Sequence, residues 1–347
     1  MPLPARLQDL PPNHARLCLK VRDVLTDIPD IASAAPGPHR LCVAFSGGTD
    51  STALLLILRC LAPSMNLRLY AVHLDHALRP ESAAEADHCA AFCVDLGIPF
   101  LVRRTDVAAF AAAHGVGIEE AARACRQVWF AKTLERVGAV YTVLGHQLND
   151  LAEDILMRLI RGAGWPALGG MSDRDDSRRI LRPLLHIPRA DLALFLADCG
   201  IRPLDDPSNT DRRYTRNRVR HDILPLLLQE NPAFLEHAAS LHRAAALDEE
   251  LFRSLAPATA EHIPHALLRD LPKALRLRLY KSCLDALGPG QAIADSLENL
   301  DDLYLRNRTG ALIQFPGGKT AQIMGTTIAF KAGNRAAAHA SSGAGFQ

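Results

Sequence analysis

Leu41-Cys42-Val43-Ala44-Phe45-Ser46-Gly47-Gly48-Thr49-Asp50-Ser51 is the stretch on which the fold turns. Its first five residues are a short apolar run that fits a strand buried on both faces. A turn with two glycines follows, and then a helical run from Ser51 to Leu61. A helix N-terminus presents unpaired backbone N–H groups and a partial positive charge. Two glycines let the backbone approach an anion closely, in conformations that side chains forbid. Ser46 and Ser51 add hydroxyl donors, and Asp50 would repel phosphate unless a cation such as magnesium lay between them. A Gly-Gly turn with a Ser or Asp cap alone is the commoner reading of so short a string. The ATP loop GxxxxGKS/T is absent, so the usual P-loop NTPase design is excluded.

Outward from this loop, strand and helix patterns alternate. Leu67 to Leu74, Pro99 to Val102 and Val140 to Leu144 read as strands, with Ile180 and Leu181 opening a last short one. Glu81 to Leu96, Ile118 to Val137 and Leu148 to Ile160 read as helices. That alternation predicts an α/β domain with a parallel sheet covered on both faces. Upstream, Pro12 to Asp27 is an amphipathic helix and Pro29 to His39 a Pro/Ala/Gly linker. From Asn217 to Leu305 the periodicity is helical and no strand is expected. Ala311 to Phe315, Thr320 to Met324 and Thr327 to Lys331 then read as short strands joined by turns. The expected organisation is an N-terminal helix and linker (1–38), a catalytic domain (39–215), a mostly helical domain ending in a short β-hairpin region (216–331) and a disordered tail (332–347).

Composition sets bounds on this picture. A length of 347 residues suits two domains at roughly 100–200 residues each. Lys+Arg is 39 and Asp+Glu 38, a formal charge of +1, which excludes a uniformly basic nucleic-acid coat but leaves a local patch open. No apolar run reaches the roughly 18–20 residues that cross a bilayer, and Met1 to Asp9 lacks the form of a secretory signal. Eight scattered cysteines without a CxxC pair read as reduced thiols of a cytoplasmic protein. The one local patch is Arg212 to Arg220, in which Arg212, Arg213, Arg216, Arg218 and Arg220 stand without an acid. Such a run is commonly a solvated face, and it can also bind phosphates.

The remaining motifs come in order: His73-Leu74-Asp75-His76-Ala77-Leu78-Arg79; Glu119-Glu120-Ala121-Ala122-Arg123-Ala124-Cys125-Arg126; His146-Gln147-Leu148-Asn149-Asp150-Leu151-Ala152-Glu153; Arg158-Leu159-Ile160-Arg161-Gly162-Ala163-Gly164; Leu181-Arg182-Pro183-Leu184-Leu185; Asp206-Pro207-Ser208-Asn209; and Arg216-Asn217-Arg218-Val219-Arg220-His221. Taken singly, each has a plain structural reading. The histidines suit strand ends, Glu119, Arg123 and Arg126 share a helical face, and Asp150 and Glu153 complement a helix N-terminus.

Together with SGGTDS, these motifs resemble the PP-loop ATP pyrophosphatases, and among them the tRNA(Ile)-lysidine synthetases, over about residues 39–228 and weakly to 331. Ala77 stands where that family usually has Gly, Gln147 where it has a second His, Asn149 where many members have Asp, Asp154 where it has Thr and Gln127 where Tyr is common. The resemblance implies an adenine nucleotide alpha hydrolase-like fold and a ligase that forms a carbon–nitrogen bond, with AMP and pyrophosphate as products. It implies ATP and Mg2+ as cofactors, held by Ser46, Gly47, Gly48, Thr49, Asp50 and Ser51 with Asp50 toward the metal. Asp50, Arg123, His146, Asp150 and Glu153 become the catalytic candidates, and the five arginines the RNA contacts. The implied partners are tRNA(Ile) with a CAU anticodon and free L-lysine, with no membrane, and a homodimer is an admissible assembly. A PP-loop tRNA thiolase would use the same adenylylation, but its cytidine-thiolating branch carries CxxC pairs that this chain lacks. A small-molecule PP-loop ATP pyrophosphatase would need neither the arginine run nor a long helical appendage, and a non-catalytic RNA binder would not need an intact loop.

Overall fold

Residues 3–33, 37–79, 81–204, 211–255, 261–288, 290 and 292–332 are described in this computed structural model. Their contacts divide the chain into Met1–Met157 with Gly170–Ser240, and Arg158–Gly169 with Leu241–Gln347. In the first unit, α1 (Pro12–Thr26) turns Leu17, Cys18, Val21 and Leu25 into the core at helical spacing. The expected linker contains a one-turn helix, α2 (Pro29–Ala32), which buries Ile31. There follow β1 (His39–Ala44), α3 (Thr49–Met65), β2 (Leu67–Asp75), α4 (Ser82–Leu96), β3 (Phe100–Arg104), α5 (Val107–His114), α6 (Ile118–Val137), β4 (Tyr141–Val143), α7 (Leu148–Ile160), β5 (Arg174–Asp175), β6 (Ile180–Leu181) and α8 (Arg189–Asp198).

The sheet order is β3-β2-β1-β4-β6-β5. Every pairing is parallel except β5 with β6, where a two-residue edge strand runs antiparallel. β1 explains its own composition. Leu41 and Val43 enter one apolar cluster, Cys42 enters the cluster on the opposite face, and all three are fully buried. A strand covered on both sides has no position for a polar residue. α3 is likewise buried almost all round, from Ala53 to Leu58, as a helix without a polar stripe must be. The chain order reverses between β1 and β4. In an open parallel sheet, that switch leaves a crevice beyond the carboxyl ends of the two strands.

The first unit continues through α9 (Thr215–Arg218), a π-helical turn (Val219–Ile223) and α10 (Leu224–Glu230), and reaches Ser240 within α11 (Phe234–Leu255). In the second unit, residues 158–169 are stitched to α11. Trp165 Nε1 donates to Asp248 Oδ2 at 2.6 Å and His242 Nδ1 donates to Gly169 O at 2.8 Å. The rest comprises β7 (His262–Pro264), α12 (His265–Arg269), α13 (Lys273–Ala286), α14 (Ala294–Leu305), β8 (Leu312–Phe315), β9 (Lys319–Ile323) and β10 (Thr327–Ala332). Its antiparallel sheet runs β7-β10-β9-β8. β7 corrects the expectation of no strand before residue 305. It is three residues long and ends in proline, so it leaves no alternating pattern, and it exists because β10 supplies its partner. Arg276 holds the fully buried Asp301 through bonds of 2.7 and 2.8 Å, and Tyr280 Oη donates to the same carboxylate. The Asp206-Pro207-Ser208-Asn209 motif and the expected tail beyond Ala332 lie outside the described residues. No helix among those residues is long and apolar enough to cross a membrane.

Candidate active site

Two turns meet at the switch point. The first joins β1 to α3 and contains Ser46, Gly47, Gly48, Thr49, Asp50 and Ser51. Gly47 has φ +80°, so glycine is favoured by conformation; a Cβ there would also lie 2.6 Å from Leu204 Cδ1 and 2.9 Å from Cys89 Sγ, side-chain ends that would have to shift. Ser51 Oγ donates to Gly48 O at 3.0 Å and accepts from Ser46 N at 3.2 Å; its partner at 3.1 Å is Ser46 Oγ. Thr52 Oγ1 donates to Gly47 O at 3.0 Å. These bonds fix the loop at the N-terminus of α3, the kind of position at which first-turn N–H groups bind anions.

The second turn joins β4 to α7. Gly145 packs against the first turn of α3, where a Cβ would stand 3.0 Å from the Asp50 carbonyl carbon and 3.1 Å from Ser51 N. Those are backbone atoms that cannot swing aside, so the glycine locks the two turns together. Next come His146 and Gln147. Gln147 Oε1 accepts from Asn149 N at 2.6 Å and caps the start of α7. Asn149 Oδ1 accepts from Arg189 N at 3.2 Å and caps α8 in turn. Both departures from the family pattern thus serve as neutral caps, which stabilise helix starts.

Asp50 is the exception in a well-bonded loop. Its Oδ1 is buried and has no hydrogen-bond partner, as is Gln147 Nε2 nearby. The nearest cation is Arg189, whose Nε lies 3.9 Å from Asp50 Oδ1. Burial, and then the charge of Asp150, push the Asp50 carboxyl up to about 6 against the pull of Arg189, Arg220 and the neighbouring Gln147 side chain. A buried acceptor oxygen without a donor, beside a phosphate-type loop, fits a cation.

The acids of α7 are saturated instead. Asp150 and Glu153 lie three residues apart on one face and meet Arg216 of α9 and Arg220 of the π-helical turn. Arg216 donates from Nη2 to Asp150 Oδ1 at 2.8 Å and from Nε to Glu153 Oε2 at 3.0 Å. Arg220 donates from Nη2 to Asp150 Oδ1 at 2.8 Å, from Nε to Glu153 Oε1 at 2.6 Å and from Nη2 to Glu153 Oε2 at 3.0 Å. The remaining oxygen, Asp150 Oδ2, accepts from Gln147 N at 3.2 Å. Side-chain exposure is 8% for Asp150, 1% for Glu153, 19% for Arg220 and 39% for Arg216. Burial opposes both guanidinium charges, and the two carboxylates outweigh it and hold both arginines above their ordinary range.

The other arginines of the run are committed locally. Arg212 pairs with Asp222 and Arg213 with Asp211. Arg218 Nη1 donates to the carbonyls of Arg212 and Arg213. The stretch is therefore not a band of uncommitted charge, because its counter-ions lie just outside it in sequence or, for Arg216 and Arg220, more than sixty residues away.

His146 accepts at Nδ1 from Arg182 Nε at 3.1 Å, so its proton is carried on Nε2. Burial pulls the imidazole down to about 4, and the attraction of Asp150 does not overcome it. His76 is held at about 4 for the same reason, with Arg126 and His73 adding to the effect. Ala77, where glycine was expected, has φ +53°, and its N–H is held by Asp75 Oδ1 at 2.8 Å. His73 is a strand-end histidine whose Nδ1 donates to Phe45 O at 2.8 Å. On α6, Arg123 and Arg126 have no ion pair or hydrogen-bonded side-chain partner among the described residues. Arg126 is exposed along the helix, yet desolvation of its guanidinium and the neighbouring charges of Arg123 and Arg216 lower it. Arg189 escaped the sequence reading; its only signal was a Pro-Arg pair at a helix start.

A family model described as a PP-loop domain matches residues 21–227. A tRNA(Ile)-lysidine synthase of Nitratidesulfovibrio vulgaris is 44% identical over 317 residues, covering 84% of this chain and 91% of the relative. One from Geobacillus kaustophilus is 34% identical over 292 residues, 80% of this chain and 63% of its own length. One from Azoarcus is 39% identical over 225 residues, 63% of this chain and 48% of its own length. Among solved structures, the U34-tRNA thiolase NcsA of Methanococcus maripaludis superposes with a TM-score of 0.52 at 16% identity, over 72% of this chain and 82% of that one. That likeness supports the sheet and helix arrangement alone.

Proposed function

The chain belongs to the tRNA(Ile)-lysidine synthase family of PP-loop enzymes, and from that premise we propose how its site divides the labour of an ATP-dependent ligase acting on tRNA(Ile). The reaction has two steps. The carbonyl oxygen at position 2 of the wobble cytidine in a CAU anticodon attacks the α-phosphate of ATP, and pyrophosphate leaves. The ε-amine of free L-lysine then attacks that carbon, a proton is lost from nitrogen, and AMP leaves with the oxygen. The first step is needed because a carbonyl oxygen is a poor leaving group and an adenylate a good one. The codon read changes from AUG to AUA.

The loop from Ser46 to Ser51 holds the ATP phosphates through first-turn N–H groups and the serine hydroxyls. Asp50, with its orphaned Oδ1, is the residue suited to magnesium, which when bound offsets the charge on the phosphates. Arg189 stands at the same mouth and is suited to the departing pyrophosphate. His146 is neutral at working pH and presents Nε2–H, so it acts as a hydrogen-bond donor to the adenylate rather than as a base. Asp150 and Glu153 take the lysine. Lysine's ordinary pKa is about 10.4, so an acceptor for its proton is required, and a carboxylate beside the ammonium provides one. Arg123 and Arg126 face RNA or adenylate phosphate, and Arg212, Arg213 and Arg218 form the outer RNA contact. None of the eight cysteines is joined in a disulfide and seven are buried, which suits work in a reducing cytoplasm.

The observation that carries this reading is the convergence of Asp50, Asp150 and Glu153 at one switch point, two of them on the helix α7 that follows the turn Gly145 packs against the phosphate loop. Incubation with CAU-anticodon tRNA(Ile), ATP, magnesium and radiolabelled lysine tests it, with UAU-anticodon tRNA as control. Label enters only the first RNA, with one AMP and one pyrophosphate per lysine. Absence of label there rejects the reading.

A further inference from the structure

Both lysine-binding carboxylates are occupied by the enzyme's own arginines. The four side chains Asp150, Glu153, Arg216 and Arg220 sum to zero charge and leave no carboxylate oxygen without a donor. An ammonium entering this buried group unchanged would make it a net cation with an unmatched donor, at a high desolvation cost. One guanidinium must therefore withdraw. The geometry decides which one. Arg220 donates three bonds and is 19% exposed, while Arg216 donates two and is 39% exposed.

A destination for Arg216 is also present. Arg123 and Arg126 on α6 have no carboxylate partner among the described residues, and Arg216 lies close enough to Arg126 and His146 to disfavour positive charge on both. Arginines gathered without a counter-ion make a site for a phosphate, which guanidiniums bind in a fork geometry. Resting on the reading of Asp150 and Glu153 as the lysine acids, we infer that Arg216 is an exchanging residue: it covers these carboxylates until a phosphate, from the RNA backbone or from the adenylate, draws it toward Arg123 and Arg126, and the vacated oxygens then accept the lysine ammonium. Arg220 stays and positions both acids. Lysine use is thereby conditional on a phosphate-bearing partner, and the amine does not meet a site without its acceptor.

The test is lysine titration followed by calorimetry and by thermal melting, with norleucine, which lacks the ε-ammonium, as control. Wild type is measured alone, with CAU-anticodon tRNA, with AMP and with both. Lysine affinity is expected to rise at least about tenfold with the phosphate source that moves Arg216, and the single-ligand arms identify that source. Arg216→Gln alone binds lysine as tightly as the loaded wild type, and Arg216→Lys retains the requirement for phosphate. Equal lysine affinity of wild type with and without RNA and AMP overturns the exchange, whether or not Arg216→Gln folds. A folded Arg216→Gln that binds lysine no better than unloaded wild type also overturns it. Failure of every form to bind lysine, including wild type with both ligands, removes instead the assignment of Asp150 and Glu153.

Discussion

The phosphate loop and the acid–arginine quartet lie side by side and are finished in opposite ways. The loop is closed by serine hydroxyls and backbone, yet Asp50 Oδ1 is left without a donor. The quartet leaves nothing over, since each carboxylate oxygen of Asp150 and Glu153 has a donor. On the proposed reading, one region receives a ligand as it stands, and the other must first give something up. A buried acceptor without a partner costs stability, so each unmet group is a position at which binding is rewarded. A satisfied buried ion pair brings little net stability, but removing one partner is costly. Substitutions in the two regions should therefore fail differently.

The largest effect is expected at the open region. Asp50→Asn should lower AMP transfer by at least about a hundredfold, the scale for losing one group that stabilises a charged transition state. It should leave the melting temperature unchanged or raised, because it removes a buried charge. Pyrophosphate release and a thermal melt check both halves. Arg220→Ala is the converse. It strips three donors from buried carboxylates, so unfolding in denaturant should show a loss of about 3 kcal/mol, and a neutral result would break the contrast.

A smaller effect distinguishes the quartet side by pH. The imidazoles of His146 and His76 titrate near 4 in the folded chain against 6.5 as the ordinary value. The unfolded chain then binds more protons between those values. Their contribution is complete above about 6.5 and is lost as pH falls toward 4. A melting series should show that decline, and His146→Asn should flatten part of it. The smallest effect lies outside both regions. Ala77 holds φ +53°, so Ala77→Gly should stabilise by about 1 kcal/mol with ligation unchanged.

How far the sequence carries this account differs along the same line. SGGTDS after Leu41–Phe45 was legible because strand, glycine turn and helix start are contiguous, and each contributes through local conformation. The caps at Gln147 and Asn149 were not legible as caps, because their consequence is geometric and their residue types alone read as departures. β7 and β5 were missed because two or three residues have no periodicity. α5 and α8 were passed over as well. The Arg212–Arg220 run was visible as charge, but its partners were not. Arg216 and Arg220 meet acids more than sixty residues away, and only the fold brings α9 and the π-helical turn onto α7.

The central claim is that activation belongs to the loop and lysine to the α7 acids. Glu153→Gln in a single turnover with α-labelled ATP and CAU-anticodon tRNA tests it most directly. The account predicts that adenylylated tRNA forms at close to the wild-type rate and accumulates, with its conversion by lysine slowed at least about a hundredfold, the lower range for loss of an acid–base group. Unchanged lysine kinetics, or equal slowing of both steps, would contradict it.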